Sequence, residues 1–343
     1  MAKPILIGLS PNTQLDDVWL AFKLLFQPWN WKTGKALISL NKAIKIYFNF
    51  PYVYLVNSAR TGLYLSLRSL NLKPDSEVLY PQFTCRVVPQ AIVKAGLRPI
   101  TSKITPQTKV IIIQHLFGIP ENMDKIKAFC QKHNLILIED LAHGLGGTYK
   151  GKKLGSFGDL TILSFGRDKI ISSVFGGAIL SRKPLNLNLP FPSYGWILKQ
   201  LIHPLIFFMA VPTYFYFGKY LIHLCRKLNL ISLPLENLDF IALPNALASL
   251  ALNQWGKIDF LNQHRRQIAK IYCQAFNRPF NPEAVYLRFP LAVKNPVNLI
   301  ASVKKHQIWL GDWYEKKIVN LPTHIRMNQS DAQRVVEMVK RYA

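Results

Sequence analysis

The sequence predicts an α/β protein built around a mixed, mostly parallel sheet. A helical pattern over residues 123–130 is followed by a short apolar, β-branched run over 134–139, and this alternation is typical of a βαβ unit. A further strand pattern covers 159–165 and leads into a loop of polar and small residues. Together these patterns predict an alternating βα core at about residues 56–182.

Half of the 343 residues are apolar, which is enough for a globular chain with one large and one small domain. We predict an N-terminal arm, a large-domain core, a linker with an apolar helical hairpin, and a C-terminal helix with a small domain. These four parts cover residues 1–55, 56–182, 183–235 and 236–343. Outside the core, the clearest patterns are an amphipathic stretch at 18–26, a long helix at 243–276, an alternating strand at 285–293 and a closing helix at 331–342.

Asp140 directly follows the apolar run 134–139. Ligands bind beyond the carboxyl ends of the strands in open parallel sheets, so a carboxylate at this point is well placed for chemistry. A simpler interpretation is that Asp140 only caps the turn that follows. Taken alone, the residue favours that simpler interpretation.

The next strand delivers Ser164, and the loop after it carries Lys169. A lone loop lysine is usually a solvated charge, and Gly176 and Gly177 are more often turn residues than places where the backbone approaches a ligand. The spacing after Asp140 and Ser164 nevertheless favours a joint site. An amine, a carboxylate and a hydroxyl are the groups with which a protein attaches pyridoxal 5′-phosphate (PLP), keeps its ring nitrogen protonated and holds its phosphate.

Further motifs follow one another along the chain: NSARTGLYL (57–65), DSEVLYPQFT (75–84), HLFGIPENMD (115–124), IEDLAHG (138–144), YKGKKLGSFGD (149–159) and SF (164–165) with Lys169. With these motifs the chain resembles the DegT/DnrJ/StrS aminotransferases, the sugar-aminotransferase branch of the fold type I PLP enzymes. The resemblance covers most of the chain. It implies a large αβα domain with a mixed, mostly parallel sheet and a smaller C-terminal α+β domain.

The resemblance also implies roles for individual residues. Lys169 would be the lysine that attaches the cofactor and moves the proton at the substrate carbon. Asp140 would pair with the pyridine nitrogen. His143 matches a position, often Gln or His, that contacts the phenolic oxygen of the cofactor.

The phosphate would be held by Ser164 and by the backbone amides of Ala59 and Arg60, at the start of a predicted helix over 60–70. This assignment has independent support, because a helix N-terminus offers free N–H groups and a favourable dipole to an anion. Arg60 replaces a common threonine of the family and would add a charged contact.

The chain departs from the family pattern at other positions. Cys85 stands where the family often has an aromatic residue that stacks on the pyridine ring. Residues 240–242 stand where relatives carry an Asn and an Arg that reach the active site across a dimer. The segment after Tyr314 is shorter than in many relatives. The cofactor site is therefore expected to be retained and the substrate site to be altered.

The chain is strongly basic, with 43 Lys and Arg against 18 Asp and Glu and a net charge of +25. Such an excess of positive charge favours anionic binding partners, such as a membrane surface or phosphate-bearing substrates. The sequence contains no zinc spacing, recognition-helix signature or RNA-binding motif, so we do not predict a nucleic-acid partner. A generally lysine-rich proteome explains the charge equally well.

An apolar segment at 196–227 contains no acidic or basic residue between Lys199 and Lys219. Its length is borderline for a membrane span, and Pro204 and Pro212 would break a straight helix. We interpret it as a helical hairpin that lies on or dips into a membrane, or as an apolar dimer surface. A helix pair buried within the enzyme is the competing interpretation.

The four cysteines show no pair spacing, and the sequence does not open with a cleavable signal peptide. Both observations predict a cytoplasmic protein. A peripheral position at the inner face of the membrane is consistent with this prediction. The histidines are scattered, so no metal site is predicted.

The function predicted from these features is a homodimeric PLP-dependent aminotransferase. The resemblance implies that it moves an amino group from an amino-acid donor, such as glutamate, to a nucleotide-linked keto-sugar, for cell-surface polysaccharide or envelope synthesis. The alternative is a catalytically inactive homologue that acts as a membrane-associated binding or scaffold protein. The joint presence of Asp140, Ser164 and Lys169 opposes that alternative.

Overall fold

The strand patterns of the core form one sheet in the computed structural model, which describes residues 3–232, 240–312 and 317–343. The predicted boundary at 235/236 and the segment around Tyr314 lie outside the described residues. Among them, the strands are β1 (Ile5–Leu6), β2 (Tyr52–Val56), β3 (Glu77–Leu79), β4 (Arg98–Ile100), β5 (Thr108–Gln114), β6 (Ile136–Asp140), β7 (Thr148–Tyr149), β8 (Lys152–Lys153), β9 (Leu160–Ser164), β10 (Gly177–Ser181), β11 (Phe289–Ala292), β12 (Ile308–Trp309) and β13 (Ile318–Leu321).

The helices of the same residues alternate with the strands of the core and dominate the rest. They are α1 (Leu15–Leu25), α2 (Lys35–Phe48), α3 (Ala59–Ser69), α4 (Val87–Lys94), α5 (Met123–His133), α6 (Tyr194–Ala210), α7 (Lys219–Lys227), α8 (Asn245–Trp255), α9 (Ile258–Ala275), α10 (Pro296–Lys304) and α11 (Gln329–Tyr342). Short 3₁₀ turns occur at Pro28–Asn30 and Leu116–Gly118, and a π-helical turn at Tyr214–Gly218 leads into α7.

The large sheet has the strand order β2-β10-β9-β6-β5-β3-β4. Strand β10 runs antiparallel to both of its neighbours, and the other described pairs are parallel. The prediction of a mixed, mostly parallel sheet is therefore confirmed. Consequently the carboxyl ends of β2, β5, β6 and β9 all meet at one edge.

The unit α5–β6 shows how the local sequence produces this arrangement. The Asn122 side chain accepts a hydrogen bond from the Lys125 amide and so begins α5. Asn134 ends the helix in the left-handed conformation, at φ 52°, which asparagine tolerates better than most residues. The chain then enters β6, whose apolar residues form a continuous run because both faces of the sheet are covered by helices.

Opposite faces of the sheet pack against different helices. Ile138 of β6 belongs to a cluster with α3 and α4, whereas its neighbour Leu137 belongs to a cluster with Met123 and Cys130 of α5. A further cluster joins α1, α2 and α8 to β9 and β10. The result is the three-layered αβα arrangement that the sequence predicts.

The C-terminal part has its own apolar core. Strands β11 and β13 pair antiparallel, and α9, α10 and α11 pack against them around residues such as Tyr272, Leu299 and Val335. The N-terminal strand β1 pairs with β12 of this part. The predicted arm therefore contacts the C-terminal part as well as the large sheet.

The predicted single helix over 243–276 is wrong, because the chain forms α8 and α9 with a break at Gly256. Glycine is a poor helix former. The break is also fixed by tertiary contacts: Lys257, directly after it, pairs with Asp16 at 2.7 Å and Asp17 at 3.2 Å.

The prediction that Pro204 would break the apolar helix is also wrong. Helix α6 continues through Pro204 to Ala210 and ends just before Pro212. Pro204 is buried, and its neighbour His203 forms a 2.8 Å hydrogen bond through Nε2 with Ser10 Oγ. Tertiary packing thus stabilises a helix that the local sequence disfavours.

The strand predicted at 285–293 is shorter than expected, since only β11 pairs. The preceding residues are engaged elsewhere: the Val285 amide donates to the Gly118 carbonyl at 2.9 Å, and Tyr286 adopts a left-handed conformation with φ 47°.

The apolar segment 196–227 forms the predicted helical hairpin, α6 followed by the π-turn and α7. One side is buried, as at Ile197, Leu201 and Ile222, while Met209 and Phe217 remain 60% and 78% exposed. None of the helices among the described residues combines the length and apolar character that a bilayer span requires.

Candidate active site

The candidate site lies at the edge where the parallel strands end. Asp140 is the last residue of β6 and Ser164 the last residue of β9, two strands that pair directly. Gly177 of β10 lies opposite Ser164 on one side and Val56 of β2 on the other. The start of α3, three residues after Val56, is thereby brought next to Ser164.

Both carboxylate oxygens of Asp140 are held in place. Oδ1 accepts the Ala142 amide at 2.9 Å, and Oδ2 accepts the side-chain amide of Gln114. The oxygen of the Gln114 amide in turn accepts the Thr84 hydroxyl. This network fixes the orientation of a carboxylate that is only 8% exposed.

Lys169 lies beside Ser164, across Gly166. A Cβ atom placed on Gly166 would be 3.6 Å from Lys169 Cγ and 3.7 Å from Ser164 Oγ. The lysine side chain is half-buried overall. Burial of its amine, and secondly the Arg288 guanidinium, lower the pKa of Lys169. The nearby acids, Asp140 foremost, oppose this shift.

Contacts from distant segments hold the loop that carries Lys169. The Asn12 side chain donates to the carbonyl of Lys169 and, at 3.3 Å, to that of Ile170. Arg265 of α9 donates to the same Ile170 carbonyl at 2.8 Å. The Gln254 side chain of α8 donates to the Asn12 carbonyl at 3.0 Å, so that these anchors form one connected group.

His143 is buried close to Lys169. Its Nδ1 accepts the Phe117 amide at 3.3 Å, which leaves the proton of a neutral ring on Nε2. Burial, followed by the charges of Lys169 and Arg288, lowers the pKa of His143 well below its ordinary value. The ring is therefore neutral at physiological pH.

The start of α3 presents free amides to the same edge. Ser58 caps the helix, since its hydroxyl accepts the Thr61 amide at 3.1 Å. The amides of Ala59 and Arg60 are the first of the helix and have no acceptor within it. Gly177 allows strand β10 to pass close to the start of α3, because a Cβ atom on Gly177 would lie only 2.8 Å from the Ala59 nitrogen.

Cys85 lies just before α4 and is exposed. It is near enough to Lys169 to affect the pKa of that amine. The neighbouring Phe83 packs against Phe117, with ring centroids 6.1 Å apart. The replacement of a stacking aromatic residue by Cys85 remains a prediction.

The segment 240–242, where the sequence departs from the family pattern, packs along β2. The Asn57 amide donates to the Ile241 carbonyl at 3.2 Å, and Ala242 forms a bridge to Val56. The ring centroids of Phe240 and Tyr64 lie 4.7 Å apart. These residues thus support the start of α3 by packing.

The sequence did not single out Gln114, Arg288 or Asn12 as site residues. Gln114 ends β5 in direct register with Asp140, so a known strand order would have identified it. Arg288 and Asn12 are distant in sequence from the other site residues, and no local pattern marks them.

The structure has the fold of the fold type I PLP aminotransferases. Residues 21–187, just under half of the chain, match the model of the DegT/DnrJ/EryC1/StrS aminotransferase family. This stretch, which contains Asp140, Ser164 and Lys169, is similar to that family.

Curated relatives match the same part. A GDP-perosamine synthase of Caulobacter vibrioides is 32% identical over 167 residues, which are 44% of this chain and 45% of the relative. A UDP-N-acetyl-3-dehydro-α-D-glucosamine 3-aminotransferase of Acidithiobacillus ferrooxidans is 35% identical over 139 residues, 36% of this chain and 38% of the relative. The matched part thus spans less than half the length of these relatives.

A solved structure matches over a longer stretch. NtdA of Bacillus subtilis, with bound cofactor PMP, superposes with a TM-score of 0.74 and 17% identity, covering 99% of this chain and 85% of that one. The likeness extends the fold assignment to the C-terminal part of the chain.

Proposed function

We propose that this protein is a PLP-dependent aminotransferase that moves an amino group from an amino-acid donor, glutamate in the first instance, to a keto-sugar carried on a nucleotide. The observation that carries the proposal is the convergence of Lys169, Asp140 and Ser164 at one edge of the sheet. The names of the sequence relatives support sugar transamination, a reaction that serves cell-surface polysaccharide synthesis.

The donor set of the site fits PLP. Lys169 supplies an amine whose pKa is lowered, and Asp140 supplies a buried carboxylate that is already oriented by Gln114. The Ser164 hydroxyl makes no hydrogen bond within the described residues, and the first amides of α3 are free to bind an anion. Amine, carboxylate and anion-binding groups are the three elements that this cofactor requires.

PLP, when bound, supplies an electron sink and carries the amino group between the two substrates. Lys169 would attach it and, once displaced by the donor, take and return the proton at the substrate carbon. A lowered pKa suits this task, because a larger fraction of the amine is then unprotonated near neutral pH. Asp140 would keep the ring nitrogen protonated.

The remaining roles follow from position. The neutral His143 ring, with its proton on Nε2, would contact the phenolic oxygen of the cofactor. Ser164 and the amides of Ala59 and Arg60 would hold the phosphate, and the Arg60 side chain would add a positive charge. Cys85 would lie against the pyridine ring in place of an aromatic residue.

The first half of the reaction provides the direct test. Purified protein incubated with PLP and glutamate is expected to release one equivalent of 2-oxoglutarate per active site, measured with a coupled dehydrogenase. Lys169→Ala should release none, whereas the matched surface variant Lys109→Ala should behave as the unaltered protein. Equal release by both variants would contradict the role of Lys169, and no release by the unaltered protein would favour the inactive membrane-associated homologue.

The second half identifies the acceptor class. Addition of UDP-N-acetyl-3-dehydro-α-D-glucosamine to protein preloaded by glutamate should yield an amino sugar detected by mass spectrometry. Catalytic turnover with this sugar would support a nucleotide-linked acceptor. Release of 2-oxoglutarate without any turnover on keto-sugar nucleotides would contradict that part of the proposal.

A homodimer is part of the proposal. Helix α1 and the turn after it expose Leu15, Trp19, Phe26 and Trp29, each more than half exposed, and an apolar surface of this kind favours a protein partner. Sedimentation velocity should show a dimer that Trp19→Ser with Phe26→Ser shifts toward monomer. A monomer that retains full activity would contradict this assembly.

We also propose a peripheral position at the inner face of a membrane. Phe217, Tyr220 and Leu224 are 78%, 65% and 51% exposed on the hairpin, next to the basic Arg226 and Lys227. Exposed apolar side chains beside cations suit an anionic lipid surface. The protein should float with vesicles containing phosphatidylglycerol, and Phe217→Ser with Leu224→Ser should abolish flotation. Recovery of both proteins at the bottom of the gradient would contradict the proposal.

A further inference from the structure

A groove of about 590 Å³ lies between the N-terminal strand, the end of α6 and the segment after β13. Apolar side chains form most of its wall, among them Leu6, Phe208, Val211, Pro212 and Ile325. This volume and lining are typical of sites for small ligands. Neither Lys169 nor Asp140 lines the groove, so its function does not depend on the activity proposed above.

The half-buried guanidinium of Arg326 marks one end of the groove. Arg326 donates to the Thr13 carbonyl at 3.3 Å and has no carboxylate within ion-pair distance among the described residues. Burial lowers the pKa of Arg326 to about 10, which still leaves it charged at neutral pH. Asp168 is close enough to raise that pKa but forms no ion pair with Arg326 among the described residues, so an anionic ligand would give the guanidinium a direct partner.

His324 lies at the same end and is 6% exposed. Neither of its ring nitrogens has a hydrogen-bond partner among the described residues, although the Leu6 backbone is close enough to affect its pKa. The ring is neutral at physiological pH, because burial and the charge of Arg326 lower its pKa to about 3. Both ring nitrogens are closed to solvent, so the ring forms part of the groove wall and makes no contact with a head group.

The other end of the groove opens toward the exposed apolar surface of the hairpin. Phe208 and Tyr216 line the groove and are also 40% and 42% exposed. Beside them, Met209 and Phe217 are more exposed still. An apolar chain lying in the groove would thus continue onto a surface of the same character.

We propose that this groove binds an amphiphile with a single apolar chain and a phosphate head group, with the head group at Arg326 and the chain against Phe208 and Val211. A free phosphate would leave the apolar wall in contact with water. A purely apolar ligand would cover the Arg326 guanidinium without giving it an anionic partner, at a cost in binding free energy.

The test uses dodecyl phosphate below its micelle concentration, titrated by calorimetry into the full chain without added PLP. Dodecyl phosphate should bind, whereas dodecanol and inorganic phosphate should each bind roughly tenfold or more weakly, since each lacks one half of the contacts. Arg326→Met should raise the Kd for dodecyl phosphate by a similar factor. The matched variant Arg68→Met, at an exposed position of α3, should leave the Kd unchanged.

Two further variants distinguish the loss of a ligand contact from a loss of the folded state. Arg326→Lys keeps the positive charge and should retain most of the affinity. Phe208→Ser removes apolar wall at a half-exposed position and should weaken binding of dodecyl phosphate but not the residual binding of inorganic phosphate, with Phe260→Ser on α9 as its control. These variants separate the head-group end from the chain end.

The proposal is overturned if dodecyl phosphate does not bind, if Arg326→Met folds and binds it as tightly as the unaltered protein, or if dodecanol binds equally well. A groove covered by a second copy of the chain would appear as a dimer that excludes dodecyl phosphate, and this outcome also contradicts it. A protein that fails to bind PLP but binds dodecyl phosphate would refute the aminotransferase while leaving this site intact.

Discussion

Gln114 and Asp140 end neighbouring parallel strands in direct register, and the side-chain amide of Gln114 donates a hydrogen bond to the Asp140 carboxylate. The Thr84 hydroxyl donates a hydrogen bond to the oxygen of the same Gln114 amide. Gln114 therefore contacts no proposed ligand itself but orients the group that would.

Replacement of Gln114 by Leu should weaken PLP binding. The substitution leaves one Asp140 oxygen without its donor, and a hydrogen bond to a charged group contributes enough to change the Kd about tenfold. Quenching of intrinsic fluorescence by PLP measures the affinity, and Gln131→Leu on the exposed face of α5 is the control. An unchanged Kd for Gln114→Leu would show that the orientation of Asp140 does not depend on this contact.

Glu139, the neighbour of Asp140 in β6, is expected to be essential for stability. Its buried carboxylate accepts the amides of Gly155 at 2.7 Å and of Phe157 and Gly158 at 2.6 Å. Glu139→Gln places an amide donor against these donors and should lower the free energy of unfolding by about 3 kcal/mol in urea denaturation. Glu337→Gln, on the exposed side of α11, should change it little; equal effects of the two would refute the prediction.

Gly155 itself offers a test of close packing. It has φ +90°, and a Cβ there would overlap Leu141 and lie 2.9 Å from Phe48 Cε1. Gly151 also has a positive φ, of +73°, but has open space around it. Gly151→Ala should cost only the backbone strain, about 1 kcal/mol, and Gly155→Ala at least about 1 kcal/mol more. Similar unfolding midpoints for the two variants would contradict the packing argument.

The buried histidines predict a loss of stability in acid. The pKa of His324 falls from 6.5 to about 3 on folding, and burial lowers those of His143 and His203 as well. Below about pH 6.5 the unfolded chain takes up protons that the folded chain does not, so the free energy of unfolding decreases as the pH falls.

Each such histidine contributes up to about 1.4 kcal/mol per pH unit between its unfolded and folded pKa values. Urea unfolding at about pH 7 and about pH 5 should therefore show a smaller pH dependence for His324→Gln than for the unaltered protein. His133→Gln, at an exposed position, should retain the full dependence. An identical slope in all three proteins would show that His324 does not titrate in this way.

The sequence was sufficient to predict the central features of the fold and the convergence of two candidate site residues at one edge of the sheet. Asp140 and Ser164 each end an apolar strand, and strand ends of a parallel sheet meet at one edge, so their proximity follows from the pattern alone. The helix start at Ala59 is likewise marked by the local cap at Ser58. These predictions depended on short-range signals and on the general topology of parallel sheets.

Features that depend on tertiary contacts were not predictable in this way. Gln114 became recognisable only once β5 was known to lie beside β6, and Arg288 reaches Lys169 from a distant part of the chain. Helix α6 continues through Pro204 because its packing outweighs the local preference against proline. The pairing of Lys257 with α1 similarly accompanies a helix break that periodicity alone did not reveal.

The absorbance spectrum of the protein with PLP tests the central claim most directly, because it reports attachment of the cofactor to one named amine. The account predicts a visible absorbance band that is absent in Lys169→Ala, present in Lys109→Ala and bleached by glutamate. A band of equal strength in Lys169→Ala, or no band in the unaltered protein, would contradict the assignment of Lys169 and with it the proposed aminotransferase.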